Sequence, residues 1–343
     1  MLNNLQLAAG IVLMSSSAVV GPPRMRVSPY FGSLVGLNYT SIDDLGDHDY
    51  DSSLGENNGL VYTARAGYID LGHLRESADR VRYIFEISQY HIQRHDSEYS
   101  FEVIESATYH VHLVYPPHWD RLNTDQQARI AREVAIDVGH YAAHLSTVWH
   151  EIVSWFGYSS TGFISEKPSS FSWEDGYSDL FGTNIAAAVL KADKPYNEGM
   201  TEFIRREIEK LDPLPAEAAR KATELIHGEW YSGRYPFLNM KKRNFDVGLD
   251  DGEITPFRVP GIADGAPEVR CPAPRMDALH RNGFKMTLTM TPKEMEKNKI
   301  LEIVYPDGDG TTLEPAVHFP VIIAHIRKEA IKDSGKDVEE PTL

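Results

Sequence analysis

The chain has 343 residues, 42% hydrophobic and 10% aromatic, with 50 acidic against 34 basic side chains and a formal charge of −16. That is enough apolar material for a sizeable core, and the acidic balance repels phosphate backbones, so no nucleic-acid partner is expected. The single cysteine, Cys271, excludes an intrachain disulfide and a thiolate cage, which leaves histidine and carboxylate as the available metal ligands.

Residues 5–20 are apolar and small and are followed by Gly21-Pro22-Pro23. The run is too short and serine-rich for a comfortable membrane span. It reads as the hydrophobic part of a signal peptide, although residues 1–4 lack the usual basic charge. The expected organisation is a signal peptide over 1–21, one globular domain over 22–336 and an acidic tail over 337–343 that frays. The mature chain is expected to be exported, periplasmic or envelope-associated, with no transmembrane segment.

Residues 22–60 are rich in Gly, Ser, Asn and Asp and read as long loops. Residues 59–68 suggest a strand or extended entry into a helix from about Asp70 to Arg94, where Leu71, Leu74, Ala78, Val81, Ile84 and Ile87 keep helical spacing. Alternation over 99–105 and 108–115 predicts a β-hairpin, closed by Pro116-Pro117. A long helix follows over 124–156 and stops at Gly157. After a Ser/Gly-rich loop come helices over about 172–192, 196–211 and 215–228. Residues 232–281 look irregular, 285–290 and 300–305 read as strands, and 318–333 as an amphipathic stretch, helical in its later half. The fold class is α+β and predominantly helical, with helices packed around the central long helix and small β-hairpin additions.

The long helix ends in Trp149-His150-Glu151-Ile152-Val153-Ser154. His-Glu opens the His-Glu-x-x-His zinc motif, in which residues four apart share a helical face and the Glu activates water. Here Ser154 occupies the second histidine position. The next helix carries Trp173-Glu174-Asp175-Gly176-Tyr177-Ser178-Asp179-Leu180-Phe181-Gly182-Thr183. Residues 148–183 therefore resemble the two ligand helices of thermolysin-like zinc metallopeptidases. The resemblance puts Glu174, 24 residues after His150, in the third-ligand place. Aligned on Ser178-Asp179 instead, it gives Asp175 as ligand with Asp179 behind it. The longer Glu174 side chain is favoured.

A broader similarity, over most of residues 30–260, rests on Gly67-Tyr68-Ile69-Asp70-Leu71-Gly72-His73-Leu74-Arg75, on Trp149-His150-Glu151, on Ser172 to Ser178 and on Arg243-Asn244-Phe245-Asp246. These resemble the motifs of an uncharacterised bacterial domain-of-unknown-function family, known mainly from Gram-negative envelope proteins. The resemblance implies export and assigns no activity, but it adds His73, which supplies the imidazole missing at position 154. The expected site is zinc held by His73, His150 and Glu174 or Asp175. Glu151 serves as general base, and Asp179, Tyr177 and Arg243 lie behind the ligands or against substrate.

The expected activity is hydrolysis of an amide or ester in a small-molecule, peptide or cell-wall substrate. The alternative is a non-catalytic envelope protein in which the same residues form a buried polar network. His140 and His144, four apart on the long helix, are a rival ligand pair. Arg243 and Asp246 are expected to pair, and Cys271 is expected in a loop.

Overall fold

The structure is a computed structural model that describes residues 20–26, 37–159, 165–234 and 239–343. The expected signal peptide therefore falls almost wholly outside the described residues. In chain order the elements are β1 (Leu60–Thr63), β2 (Gly67–Asp70), α1 (Leu71–Gln93), β3 (Glu98–Glu102), β4 (Thr108–Val114), α2 (Thr124–Trp155), α3 (Asp175–Lys191), α4 (Tyr196–Glu209), α5 (Ala216–Ile226), β5 (Glu253–Ile254), β6 (Cys271–Pro272), α6 (Asp277–Arg281), β7 (Lys285–Thr291), α7 (Lys297–Val304) and α8 (Pro315–Ser334). No helix among the described residues is long and apolar enough to cross a membrane. The mostly helical α+β class holds.

Local signals start the two main helices. Asp70 Oδ1 accepts from the Gly72 and His73 amides at 2.7 and 3.2 Å and caps α1. Asn123 and Gln126 form a reciprocal capping box at the start of α2. The hairpin β3–β4 is antiparallel, and β7 adds on the other side of β4 to complete a three-stranded sheet. The extended stretch before α1 is itself a tight antiparallel pair, β1–β2.

Two glycines set the spacing of the central helices. A Cβ on Gly139 of α2 would sit 2.8 Å from the Val81 carbonyl of α1. One on Gly182 of α3 would sit 2.0 Å from the Leu74 carbonyl. Side chains of any size would force the helices apart, so α2 and α3 both lie tight against α1. The main core spans these helices, α8 and the sheet, and a smaller one gathers Tyr62, Tyr68, Trp173 and Trp230 around α5.

Three expectations are corrected. Residues 300–304 belong to helix α7, with Tyr305 as its C-cap, and not to a strand. A β-branched run there packs on α8 through Ile300 and stops short of Pro306, and that tertiary contact overrides propensity. Helix α8 is continuous from Pro315, whose fixed φ suits the first helical position. The acidic tail is docked. Val338 is buried and its carbonyl accepts from the Arg243 amide at 2.8 Å, Asp337 pairs with Lys242, and the Thr342 carbonyl accepts from Trp230 Nε1.

Candidate metal centre

The centre forms where α1 and α3 begin and α2 ends. Asp70 caps α1, His73 lies in its first turn, and Asp175 opens α3. Two helix N-termini direct partial positive charge at these carboxylates, which favours their ionised form. Further along the same face of α1, Ser77 donates to the Asp179 carbonyl at 2.9 Å, while the Asp70 amide donates to Ser178 Oγ at 2.9 Å. These bonds fix the register of α1 against α3.

His73 Nδ1 faces two carboxylates at once, Asp175 Oδ1 at 2.9 Å and Asp70 Oδ2 at 3.1 Å. All three ligand atoms lie within 4.8 Å of one another. Each is buried, and none meets a neighbour with hydrogen-bond geometry. One imidazole nitrogen carries at most one proton, so it cannot satisfy both acids by donation. Two atoms bound to one zinc at the tetrahedral angle, each about 2.1 Å away, would stand about 3.4 Å apart, so donors at 2.9 and 3.1 Å would spread by a few tenths of an ångström to close on the ion. Asp70, His73 and Asp175 are a buried group able to hold a metal ion.

The two carboxylates draw positive charge to His73. Burial pushes the His73 pKa down, but Asp175 and Asp70 outweigh it and raise it well above the usual 6.5. Burial pushes Asp175 up, and the His73 charge more than reverses this, leaving it lowered. Asp179, buried on α3 with Asp175 and Glu151 nearby, is pushed well above the carboxylate range.

His73 and Asp175 thus come together as expected, joined by Asp70, which the sequence presents only as a helix cap. Glu174, the favoured ligand of the two, instead occupies the N-cap position of α3, and the carboxylate beside His73 is that of Asp175. His150 stands outside the group. Its Nδ1 lies 2.9 Å from Glu105 Oε1 and its Nε2 3.5 Å from Glu166 Oε2. Glu105, from the turn after β3, also takes both terminal nitrogens of Arg80 at 2.9 Å. Burial lowers the His150 pKa, but the Glu105 hydrogen bond and charge raise it to about 9. Burial raises Glu105, and Arg80 with His150 brings it down to about 2. The imidazole that resembles a zinc ligand is therefore engaged by Glu105 and Glu166 rather than by the Asp70–His73–Asp175 group.

Glu151 is buried, and burial together with the Asp175 charge raises its pKa to about 7. Its Oε2 accepts from the Phe171 amide. Phe171 has φ +52°, a left-handed conformation costly for a bulky residue, about 1–3 kcal/mol. Tyr177 points elsewhere and donates to the Val269 carbonyl at 3.0 Å. Arg243 makes no pair with Asp246. It donates to the Ser170 carbonyl and lies over the Trp155 ring, whereas Asp246 accepts from the Gly248 and Thr255 amides.

The other candidates do not join this group. His140 and His144 are buried, and burial lowers them to about 3 and about 4. Cys271 lies buried in β6 rather than in a loop, and burial raises it to about 12, so it is no nucleophile. Asp246, Asp250 and Asp251 also cluster, but Asp250 and Asp251 are exposed, and Asp246 and Asp251 cap backbone amides.

Comparison with curated proteins finds no match, and comparison with solved structures finds none. Residues 35–251 match a family described as "Protein of unknown function (DUF4056)". That span contains Asp70, His73, His150, Glu151, Asp175 and Arg243, and the chain belongs to this family.

Proposed function

We propose that the chain is a metal-dependent hydrolase of the cell envelope, with the ion held by Asp70, His73 and Asp175. The observation that carries the reading is the convergence of three buried donor atoms at 2.9 and 3.1 Å without hydrogen-bond geometry. One imidazole and two carboxylates suit zinc, and the two oxygens also suit manganese or iron(II). A divalent ion there supplies the positive charge that polarises a carbonyl or acidifies water.

The chain's own residues supply the proton chemistry. Glu151, with a pKa of about 7, is poised to take a proton from water and return it to a leaving group. His150 stays protonated at neutral pH and adds a fixed positive charge near the centre, one that Asp175 feels. The resemblance of residues 148–183 to thermolysin-like peptidases supports amide or ester hydrolysis, with Asp70 and His73 at the start of α1 standing in for both motif histidines, since Ser154 replaces one and His150 pairs with Glu105. The substrate classes are a peptide, a cell-wall stem or an acyl ester, and zinc is the first choice of metal.

A second reading has its own support. The raised pKa of His73 lets the imidazolium act as the resident cation in a structural, non-catalytic network. Elemental analysis of untagged protein separates the two, since about one equivalent of metal is expected for a three-ligand site and none for the network. Glu151→Gln is expected to keep the metal and abolish hydrolysis of a peptide and ester panel. Metal-free protein with full thermal stability rejects the hydrolase.

A further inference from the structure

We infer that Arg243 is a positioning residue for Glu151, acting through the peptide bond between Ser170 and Phe171. This deepens the hydrolase reading, because it names what orients the proposed base. Arg243 is buried between two segments. Its guanidinium donates to the Ser170 carbonyl and reaches Lys167 and Pro168 carbonyls at 3.4 and 3.3 Å, and its own amide is tied to Val338 at 2.8 Å. The next residue, Asn244, donates its amide to the Phe171 carbonyl at 3.0 Å, and the Phe245 ring packs on the Phe171 ring at 5.0 Å.

Three consecutive residues therefore grip one strained peptide from both sides. A bulky residue at positive φ persists only where its surroundings over-determine it. The result of the grip is that the Phe171 amide points at Glu151 Oε2. The bond to Oε2 fixes the plane of the carboxylate and so the direction in which Oε1 faces. Without a fixed donor, the carboxylate would turn about its broad Cγ–Cδ torsion, and both oxygens would compete for the role of base. The docked C-terminal segment belongs to the same clamp, because Val338 anchors the Arg243 backbone.

The test needs no substrate. Protein labelled with nitrogen-15 phenylalanine gives a Phe171 amide signal, assigned by Phe171→Leu. An amide donating to a carboxylate is displaced downfield, and it should move with the titration of Glu151 and relax in Glu151→Gln. Arg243→Ala is expected to move this signal upfield while leaving metal content unchanged, and Arg243→Lys to restore part of the shift. In hydrolysis, the acid limb of the pH–rate profile should move to higher pH in Arg243→Ala, because a bond favouring the carboxylate is lost. If Arg243→Ala does not fold, Phe245→Leu, which keeps an apolar side chain but removes the ring on Phe171, carries the same two expectations. An unmoved Phe171 amide in a folded variant overturns the clamp. Absence of metal and hydrolysis with a moved amide overturns the hydrolase reading alone.

Discussion

Nδ1 of His73 stands 2.9 Å from Oδ1 of Asp175, joining the first turns of two helices through atoms that face no hydrogen-bond partner of proper geometry. Neutralising that aspartate tests whether a metal closes the contact. Asp175→Asn should weaken metal binding by more than the roughly 10- to 100-fold that loss of an outer partner costs. Glu174→Gln, one residue earlier, should leave it intact. Metal titration of chelator-stripped protein reads both, and equal losses in the two variants would reject the ligand set. Chelation of the wild type should lower its melting temperature by a few degrees, since saturation at 100 times Kd adds about 2.7 kcal/mol.

Gly182→Ala tests whether helix spacing builds the centre. The added methyl meets the Leu74 carbonyl at 2.0 Å and Ser77 Oγ at 2.5 Å. Backbone cannot swing aside, so α3 must move away from α1 at a cost of at least the usual ~1–3 kcal/mol of overpacking. Asp175 moves with α3 and His73 stays with α1. Denaturant unfolding should show the lost stability, and metal titration a weakened site. A destabilised variant with unchanged metal affinity would separate packing from the centre.

How much of this was legible in the chain follows from which interactions are local. The boundaries of α1 and α2 came through because Asp70 and Asn123 cap within three residues and the apolar spacing is sustained. His73 entered only through the family resemblance, and Asp175 only as the alternative to Glu174 in the peptidase-like alignment. Asp70 was hidden, because one of its oxygens does cap α1 and only the other faces the centre. His150 misled for the opposite reason. His-Glu on a helix signals a ligand, yet the group that claims the imidazole is Glu105, which arrives from a different element. Such a partner has no signature in spacing. The same holds for the tail, whose anchors Lys242 and Arg243 come from the irregular stretch before β5.

The pairing of His150 with Glu105 should appear in the pH dependence of stability. The folded His150 pKa of about 9 lies above the usual 6.5, so its contribution is full below 6.5 and is lost as pH rises through about 9. Glu105, lowered to about 2 from 4.5, contributes above 4.5 and loses that only in strong acid. His150→Gln should therefore flatten the fall in denaturant midpoint between pH 7 and pH 9. The size is that of a hydrogen bond to a charged group, about 1.5–3 kcal/mol. An alkaline limb identical in wild type and variant would place the titration elsewhere.

His144 predicts the opposite limb. It sits one turn from His140 on α2, 2% exposed, and burial lowers its pKa to about 4. His140, lowered to about 3 by burial with Lys191 and His144 adding, behaves alike. Unfolded imidazoles bind protons below about 6.5, whereas the folded ones do not until about 4. The unfolded state therefore gains protons across this window, and stability falls as pH drops through it. The full His144 contribution is roughly 3 kcal/mol. His144→Leu should reduce the loss of denaturant midpoint between pH 6.5 and pH 4 and leave metal content unchanged. Were the two histidines ligands instead, the midpoint at pH 7 would still respond to chelator in Asp175→Asn, and His144→Leu would abolish that response.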